Sequence, residues 1–337
     1  MKVGLIGCGR QGWRRAGAVR TCGDQLVIVA DTDEKSARAL AEAMNCQFTT
    51  DWQKLLAADV DAIIVSTPNV FHAPMSLKAL KLGKHVLCEK PLGLTPNETA
   101  TMIKVSEKMG LTLKCGFNLR HHPGIKQARI WFDRAEIGEP MFVRIRYGIG
   151  GRIRYEKDWR MNKRISGGGQ LMDQGMHALD LARWFLGGFS EAFGIISTSF
   201  WKVPLEDNAF CLLQTESGKT ASIHVSWTQW KNLFSFEIYG TEGYITVEGL
   251  SGSYGTEKTI LGKRDFTRPF EEVTVEFRGE DSSWAEEWKE FTSAIKERRE
   301  PLGSARDGHE AVKLACAIYK SAEEKRVIRK KLHRQMN

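Results

Sequence analysis

Short apolar runs alternate with helical patterns over the first third of the chain. Continuous apolar runs are typical of buried strands, and apolar positions three and four residues apart are typical of helices. We predict strands over Lys2–Ile6, Leu26–Ala30, Ala62–Ser66, His85–Cys88 and Thr112–Gly116. The helices predicted between them begin after Gly12 and cover Glu34–Met44, Pro74–Leu82 and Pro96–Met109. This alternation indicates a parallel sheet covered by helices, with ligands at the carboxyl ends of the strands.

The pattern changes near residue 120, where strand-like segments begin to follow one another. We predict helices over Pro123–Phe132, Asp173–Leu186, Trp284–Arg298 and Gly308–Lys325. The predicted strands are Met141–Tyr147, Glu191–Thr198, Ala209–Thr215, Ala221–Trp227, Phe234–Tyr239, Tyr244–Val247 and Val273–Phe277. Successive strands separated by glycine turns predict a large, mostly antiparallel open sheet. An open sheet face needs a cover, so we expect self-association through it.

A glycine fingerprint lies between the first predicted strand and the first helix. Gly7, Gly9 and Gly12 have the GxGxxG spacing, with Arg10 and Gln11 inside the motif. The first glycine permits a tight turn, the second lets the backbone approach a pyrophosphate, and the third lets helix and strand pack closely. Free N–H groups at the helix N-terminus would then face the phosphates. The alternative is an ordinary glycine turn in an unrelated α/β protein.

Asp31 follows the second predicted strand, where the fingerprint requires an acidic residue. Its carboxylate can accept hydrogen bonds from ribose hydroxyls and would repel a 2′-phosphate, which favours NAD over NADP. Lys35 and Arg38 on the next helix are cations that would weaken this preference for NAD.

From the order of these elements and motifs we predict an α/β protein with an N-terminal Rossmann dinucleotide-binding domain over residues 1–120. Residues 121–337 would form an α+β domain for substrate binding and oligomerisation.

Composition and charge exclude several other classes of protein. The chain has 337 residues, of which 42% are hydrophobic, and a formal net charge of +8. No apolar run reaches membrane-spanning length, and the first strand begins at Lys2, so we expect neither a membrane span nor a signal peptide. The seven cysteines contain no CxxC pair, which favours free thiols in a reducing, cytoplasmic compartment and predicts no metal site. We find no nucleic-acid-binding motif and expect no such partner.

Two groups of residues have the chemistry for oxidising an alcohol. Lys90 follows a predicted strand and can hydrogen-bond a substrate oxygen, although a surface lysine in a loop is the alternative. Asp173 and His177 are four residues apart and would share one face of a predicted helix. Histidine titrates near neutrality and suits a base that removes a hydroxyl proton. A capping aspartate and a packed histidine are the structural alternative.

The motifs in this order resemble those of the glucose–fructose oxidoreductase/inositol dehydrogenase family, called Gfo/Idh/MocA. Besides the fingerprint, the matching segments span both predicted domains. They are Ser66-Thr67-Pro68-Asn69 with His72, Gly83 to Pro91, Gly116-Phe117-Asn118, and Gly167-Gly168-Gly169 through Asp173 and His177.

The resemblance implies NAD(P)-dependent hydride transfer to or from a hydroxyl of a sugar, sugar derivative or cyclitol. It implies that Lys90, Asp173 and His177 are catalytic and that the subunits form dimers or tetramers through the second-domain sheet. Together with the strand-end positions it implies a larger cofactor-binding set. This set is Gly7, Gly9, Arg10, Gln11, Gly12, Asp31, Thr67, Pro68, Asn69, His72, Glu89, Lys90, Asn118, Trp159 and Arg160.

A basic stretch precedes the second glycine loop. Its cations are Arg144, Arg146, Arg152, Arg154, Lys157, Arg160, Lys163 and Arg164. Arginine forks match phosphate and carboxylate, so we hypothesise an anionic sugar bound by Arg152 and Arg154 together with Lys90, Asp173 and His177. A solvated basic loop is the alternative.

Two other functions remain open at this point. One is an NAD-dependent glycosidase that oxidises its substrate transiently, and the other is a non-catalytic regulator that binds dinucleotide. The intact set of Lys90, Asp173 and His177 argues against a regulator, because a sensor needs no base.

Overall fold

A computed structural model describes residues 1–151, 155–267 and 271–329. The chain divides into two compact units. The first contains Met1–His122, Asn162–Gly167 and Ser282–Val312, and the second contains Pro123–Met161, Gly168–Asp281 and Lys313–Asn337.

The first unit is built on a parallel sheet that, in the described residues, has six strands. These are β1 (Lys2–Ile6), β2 (Gln25–Ala30), β3 (Gln47–Thr49), β4 (Ala62–Val65), β5 (His85–Glu89) and β6 (Leu113–Gly116). Their order is β3-β2-β1-β4-β5-β6. Successive strands are therefore added on one side of β1 as far as β3, and on its other side from β4 onward. In sheets of this kind ligands bind between β1 and β4, outside the carboxyl ends of the strands. The predicted parallel sheet is confirmed.

Helices in the described residues connect and cover both sheets. They are α1 (Arg10–Thr21), α2 (Glu34–Met44), α3 (Trp52–Leu56), α4 (His72–Lys81), α5 (Pro96–Met109), α6 (Pro123–Asp133), α7 (Lys163–Ser166), α8 (Gly175–Leu186), α9 (Ser283–Glu297) and α10 (Ala305–Glu324). Local sequence explains several of their ends. Helix α5, for example, begins with a reciprocal capping box between Thr95 and Glu98 and ends at Gly110 in the left-handed conformation.

Helix α9 belongs to the first unit although it lies near the end of the sequence. Trp284, Trp288 and Phe291 pack in one hydrophobic core with Val3 and Leu5 of β1. The prediction placed a single domain boundary after residue 120, whereas in the structure the chain returns to the first unit at Ser282–Val312. The chain returns there because these aromatic side chains are buried in the core of the first unit.

The second unit contains a large sheet that, within the described ranges, has nine strands. These are β7 (Pro140–Gly148), β8 (Glu191–Ser197), β9 (Asn208–Gln214), β10 (Thr220–Ser226), β11 (Leu233–Gly240), β12 (Gly243–Glu248), β13 (Glu257–Lys263), β14 (Glu272–Phe277) and β15 (Ile328–Arg329). The order is β14-β13-β12-β11-β7-β10-β9-β8-β15. Among the described strands of this second sheet, only β7 and β10 pair in parallel, which confirms the predicted mostly antiparallel sheet.

The two faces of this sheet differ. Along β7 the side chains of Val143, Ile145 and Tyr147 are buried, whereas Arg144 and Arg146 point to the opposite, exposed side. Helix α8 packs against β7 and β10 on one face. Elsewhere in the sheet, Ile195, Phe210 and Leu212 are exposed at 56%, 47% and 52%.

Two features that are absent from the described ranges bear on function. No helix in them has both the length and the hydropathy that crossing a bilayer requires. The same residues contain no group of three or more His, Cys, Asp or Glu side chains arranged to hold a metal ion.

Candidate active site

The glycine fingerprint forms a tight loop between β1 and α1. Gly7 has a φ of +99°, and a Cβ there would lie 2.6 Å from the Ser66 carbonyl oxygen. A Cβ on Gly12 would lie 2.0 Å from the Gly7 carbonyl oxygen. A Cβ on Gly9, by contrast, would meet no described atom within 4 Å. The first and third glycines are therefore required by packing, whereas the second leaves open space above the loop.

The N-terminus of α1 is suited to an anion. Gly9 is its N-cap residue and supplies no side-chain cap, and the first turn contains no acidic residue. Arg10 and Gln11 begin the helix, and Gln11 accepts a long hydrogen bond of 3.4 Å from Arg14. Uncapped N–H groups and a positive helix end fit the pyrophosphate of a dinucleotide.

Asp31 lies beside this loop and is held by the backbone. One carboxylate oxygen accepts the Cys8 N–H at 2.7 Å, and the other accepts the Asp33 N–H at 3.0 Å. Each carboxylate oxygen can accept a further hydrogen bond, as ribose hydroxyls would require. Of the two opposing cations, Arg38 is bonded to Glu34 at 2.7 Å and its guanidinium lies 4.8 Å from the Phe48 ring centre.

The segment after β4 is fixed by His72. Its Nε2 lies 2.8 Å from the Thr67 carbonyl oxygen and its Nδ1 lies 2.7 Å from the Pro91 carbonyl oxygen. Burial lowers the pKa of His72. The ring therefore lies between the Thr67-Pro68 segment and the segment after Lys90, and the nitrogen that carries the proton donates to the backbone carbonyl that it faces.

Two other predicted cofactor residues of the first unit also have protein partners. The Asn69 side chain donates to the Ser166 carbonyl at 2.8 Å, and the Asn118 side chain donates to the Ser283 hydroxyl at 3.0 Å. The buried Thr67 hydroxyl has no hydrogen-bond partner among the described residues. Since Thr67 follows β4 and its N–H borders Gly7, this orphaned hydroxyl fits a bound dinucleotide.

A buried ion network supports the end of β5. Glu89, the residue before Lys90, accepts from Arg15 Nε at 2.7 Å, and Arg15 also pairs with Glu287 at 2.5 Å. Lys114 lies 3.3 Å from Glu287. Burial alone would raise the pKa of Glu287, but Arg15 and Lys114 lower it. Glu89 thus anchors the strand end that carries Lys90.

This network also explains Gly116. A Cβ at that position would lie 2.7 Å from the Arg15 guanidinium, so only glycine leaves room for the ion pair. Arg15 was not among the candidate residues predicted from the sequence. Its signal is a lone arginine among the buried residues of α1, which are otherwise Gly12, Ala16, Ala18 and Val19.

In the second unit, Asp173 lies in a hydrogen-bonded turn rather than in a helix. Helix α8 begins at Gly175, so the predicted helical start at Asp173 is wrong. The Asp173 N–H donates to the Gly169 carbonyl at 3.1 Å, and the Gly175 N–H donates to the Gln170 carbonyl at 3.0 Å. Asp173 and His177 therefore do not share a regular helical face.

His177 lies in the first turn of α8 and is 6% exposed. The centre of its ring is 6.4 Å from that of Tyr147. The preceding Gln174 donates to the Tyr254 hydroxyl at 2.8 Å, and Gln170 donates to Gln174 and, at 3.0 Å, to the Ser226 carbonyl. His177 is therefore largely buried, with the aromatic ring of Tyr147 nearby.

Arg160 is directed toward Asp173. Its Nε lies 3.8 Å from the Asp173 carboxylate, its Nη1 donates to Asp158 at 3.1 Å, and its guanidinium carbon lies 4.5 Å from the Trp159 ring centre. Burial alone would lower the pKa of Arg160, but Asp173 and Asp158 raise it. Arg160 is thus a partner of a predicted catalytic residue.

The other cations of the basic stretch are dispersed. Arg144 donates to Glu237 at 2.6 Å on the exposed face of the sheet, the opposite face from Tyr147. Arg146 shares that exposed face. Arg144 and Arg146 therefore lie on the same face of β7, opposite to the face of Tyr147. Arg152 and Arg154 lie outside the described residues.

Comparisons with known proteins identify the family. Residues 1–117 match the model of an oxidoreductase family with an NAD-binding Rossmann fold, and residues 125–246 match the GFO/IDH/MocA C-terminal domain. The chain is 31% identical to an inositol 2-dehydrogenase of Rhizobium meliloti, over 97% of this chain and 98% of the relative. The chain belongs to the Gfo/Idh/MocA family. It is therefore an oxidoreductase with an NAD-binding domain, as its sequence motifs predict.

Other members of the Gfo/Idh/MocA family show the range of substrates. A dTDP-3,4-didehydro-2,6-dideoxy-alpha-D-glucose 3-reductase of Saccharopolyspora spinosa is 29% identical over 74% of both chains. The solved structure of a levoglucosan dehydrogenase in complex with NADH has the same fold, with a TM-score of 0.90 over 98% of both chains at 24% identity.

Proposed function

We propose that this protein oxidises a secondary hydroxyl of a cyclitol or sugar with NAD⁺ as the hydride acceptor. The observation that carries the proposal is the near full-length similarity to an inositol 2-dehydrogenase, which spans Lys90, Asp173 and His177. Bound NAD⁺ would supply the hydride chemistry, and the protein would supply geometry and charge.

Three side chains have distinct roles in this proposal. His177 removes the hydroxyl proton, and its buried surroundings restrict the ring to one orientation. Asp173 orients the substrate and supports the charged imidazole. Lys90 donates a hydrogen bond to the reacting oxygen and stabilises the negative charge that develops on it.

The cofactor preference follows from Asp31. Its carboxylate, bonded to the Cys8 and Asp33 amides, would accept the ribose hydroxyls and repel a 2′-phosphate. Arg38 is a cation that could bind the 2′-phosphate of NADP, but its guanidinium is paired with Glu34. We therefore propose NAD as the cofactor, with Arg10, Gln11 and Thr67 near the phosphates.

A neutral polyol is the substrate class that we propose first. Arg160 is engaged by two carboxylates, and Arg144 faces the other side of the sheet. An anionic sugar is the second candidate, because a substrate phosphate or carboxylate could compete with Asp173 for Arg160 across the 3.8 Å separation.

One experiment separates these possibilities. NADH absorbance is followed while the protein and NAD⁺ are offered myo-inositol, neutral hexoses, a uronic acid, a sugar phosphate and a nucleotide sugar. We expect NADH formation with the neutral polyols. Preference for the charged members would favour the anionic alternative, free sugar released from a glycoside without net NADH would indicate the glycosidase, and NAD⁺ binding without turnover would indicate the regulator.

The exposed sheet face suggests how copies assemble. Ile195, Phe210 and Leu212 form part of an apolar outer surface, and we propose that it pairs with a second copy to give a dimer or tetramer. Light scattering of wild type and Phe210→Glu tests this proposal. A smaller mass for the variant supports it, and a monomeric wild type contradicts it.

A further inference from the structure

The segment that carries Asp173 and His177 is anchored by a residue far along the chain. Residues 168–174 form turns, and α8 starts only at Gly175 without a side-chain cap. Such a segment has few hydrogen bonds of its own, so its conformation depends on contacts from outside.

Glu206, just before β9, supplies those contacts. One oxygen of its carboxylate accepts the Gly169 N–H at 2.9 Å and the Leu171 N–H at 3.1 Å. The Glu206 carbonyl accepts the intervening Gln170 N–H at 3.1 Å. Three successive amides of the loop therefore bind to a single residue.

Tyr319 of α10 completes the anchor. Its hydroxyl donates to the same Glu206 carboxylate oxygen at 2.6 Å. A Cβ on Gly168 would lie 2.0 Å from the Tyr319 hydroxyl, and a Cβ on Gly169 would lie 2.1 Å from the Glu206 carbonyl oxygen. The two glycines are thus required by the close approach of the anchor.

The anchor is transmitted to the proposed catalytic residues by backbone hydrogen bonds. Gly169, held by Glu206, accepts the Asp173 N–H at 3.1 Å, and Gln170 accepts the Gly175 N–H at 3.0 Å. His177 follows in the first turn of α8. A change at Glu206 would therefore move both side chains.

We propose that Glu206 and Tyr319 are positioning residues for this reaction, holding the loop so that Asp173 and His177 keep their catalytic geometry. This inference rests on the catalytic roles proposed above. A contribution to the stability of the fold does not by itself explain why a carboxylate stands at position 206. Burial raises the pKa of Glu206, and a carboxyl whose pKa is raised in the folded protein destabilises it once the pH exceeds the unfolded value.

The test compares Glu206→Gln and Tyr319→Phe with Glu257→Gln. Glu257 is a matched control, because it is also buried and accepts a backbone N–H, that of Gly124 at 2.7 Å at the start of α6. We expect kcat to fall about 10- to 100-fold in Glu206→Gln and less in Tyr319→Phe, the range for a displacement on the order of an ångström. The KM for NAD⁺ and the melting temperature should stay near those of the control.

Amide hydrogen exchange gives a readout that needs no substrate. Exchange at residues 169–177 should be faster in both test variants than in wild type and unchanged in Glu257→Gln. Equal kcat in test and control variants, or unchanged exchange at the loop, overturns the inference. A wild type that oxidises no member of the panel contradicts the proposed function instead, and the exchange result then stands by itself.

Discussion

The two regions that carry the candidate site residues are built by different means. In the first unit the loop at Gly7 and Gly12 is determined by backbone packing against neighbouring strand ends, and Asp31 is held by nearby amides. In the second unit the loop before Asp173 is determined by the side chain of Glu206, which is distant in sequence. Both loops leave a glycine motif in the sequence, but Glu206, which holds the second loop from a distance along the chain, has no motif that reveals it.

We expect the strongest loss of activity from a substitution in the second region. His177→Ala should lower turnover about 10²- to 10⁴-fold, the usual contribution of a positioned acid–base group. Steady-state NADH formation measures it. The control is His85→Ala, because His85 begins β5 at the end away from Lys90 and accepts only a backbone N–H in the described contacts, that of Thr112 at 3.0 Å. Near-normal turnover in purified His177→Ala would remove His177 from the mechanism.

The next effect concerns the ion network of the first region. Arg15→Met removes the cation that Glu89 and Glu287 share and leaves Glu287 with Lys114 as its cation, which should lower the free energy of unfolding by about 3–5 kcal/mol. Arg14→Met is the matched control, because Arg14 is exposed and adjacent. Urea denaturation at neutral pH measures the difference. Equal stability of the two variants would show that the network contributes nothing.

The same network predicts an acid-sensitive fold. Because Arg15 and Lys114 lower the pKa of Glu287, its stabilisation is present above the ordinary glutamate pKa of about 4.3 and is lost as the pH falls through its lower folded value. The free energy of unfolding of wild type should therefore fall below about pH 4.3, and that of Glu287→Gln should fall less steeply. Parallel pH profiles for the two proteins would contradict this.

A smaller effect tests the cofactor preference. Asp31→Ser should weaken NAD⁺ binding about 10- to 100-fold, since a hydrogen bond to a charged group contributes about 1.5–3 kcal/mol. It should also narrow the difference between the dissociation constants for NAD⁺ and NADP⁺. Asp33→Ser is the control. Asp33 is also an aspartate near the end of β2, but its carboxylate caps α2 by accepting the Ser36 N–H at 3.3 Å. Fluorescence titration measures both dissociation constants. Unchanged NAD⁺ binding in Asp31→Ser would exclude the carboxylate from the ribose site.

Two glycine substitutions should have milder effects, and they distinguish a glycine that affects only stability from one that leaves room for the cofactor. Gly17→Ala, in the middle of α1 with open space around it, should stabilise the protein by roughly 0.5–1 kcal/mol. Gly9→Ala should leave the melting temperature almost unchanged but weaken NAD⁺ binding, because the added methyl occupies the space above the loop. Thermal unfolding with and without NAD⁺ measures both. Normal NAD⁺ binding by Gly9→Ala would place the pyrophosphate elsewhere.

The sequence predicted those helices and strands in which every side chain that faces the core is apolar. The main strands of the first unit are buried on both faces, so their runs were recognised, but the three-residue β3 is half-exposed and was missed. Strand β13 was also missed. Its buried positions include Glu257 and Thr259, which bond the N–H and C=O of Gly124. The start of α8 was misplaced because the helical pattern continues into a loop whose amides bond Glu206.

In the proposed mechanism, the imidazole of His177 removes the hydroxyl proton during NAD-linked oxidation. Chemical rescue is the decisive test of this role: NADH formation by His177→Ala is measured with a substrate of the wild type while free imidazole is added. We predict that imidazole restores part of the lost rate in His177→Ala and leaves His85→Ala unchanged. A variant that turns over normally without imidazole would contradict the claim, as would equal stimulation of both variants.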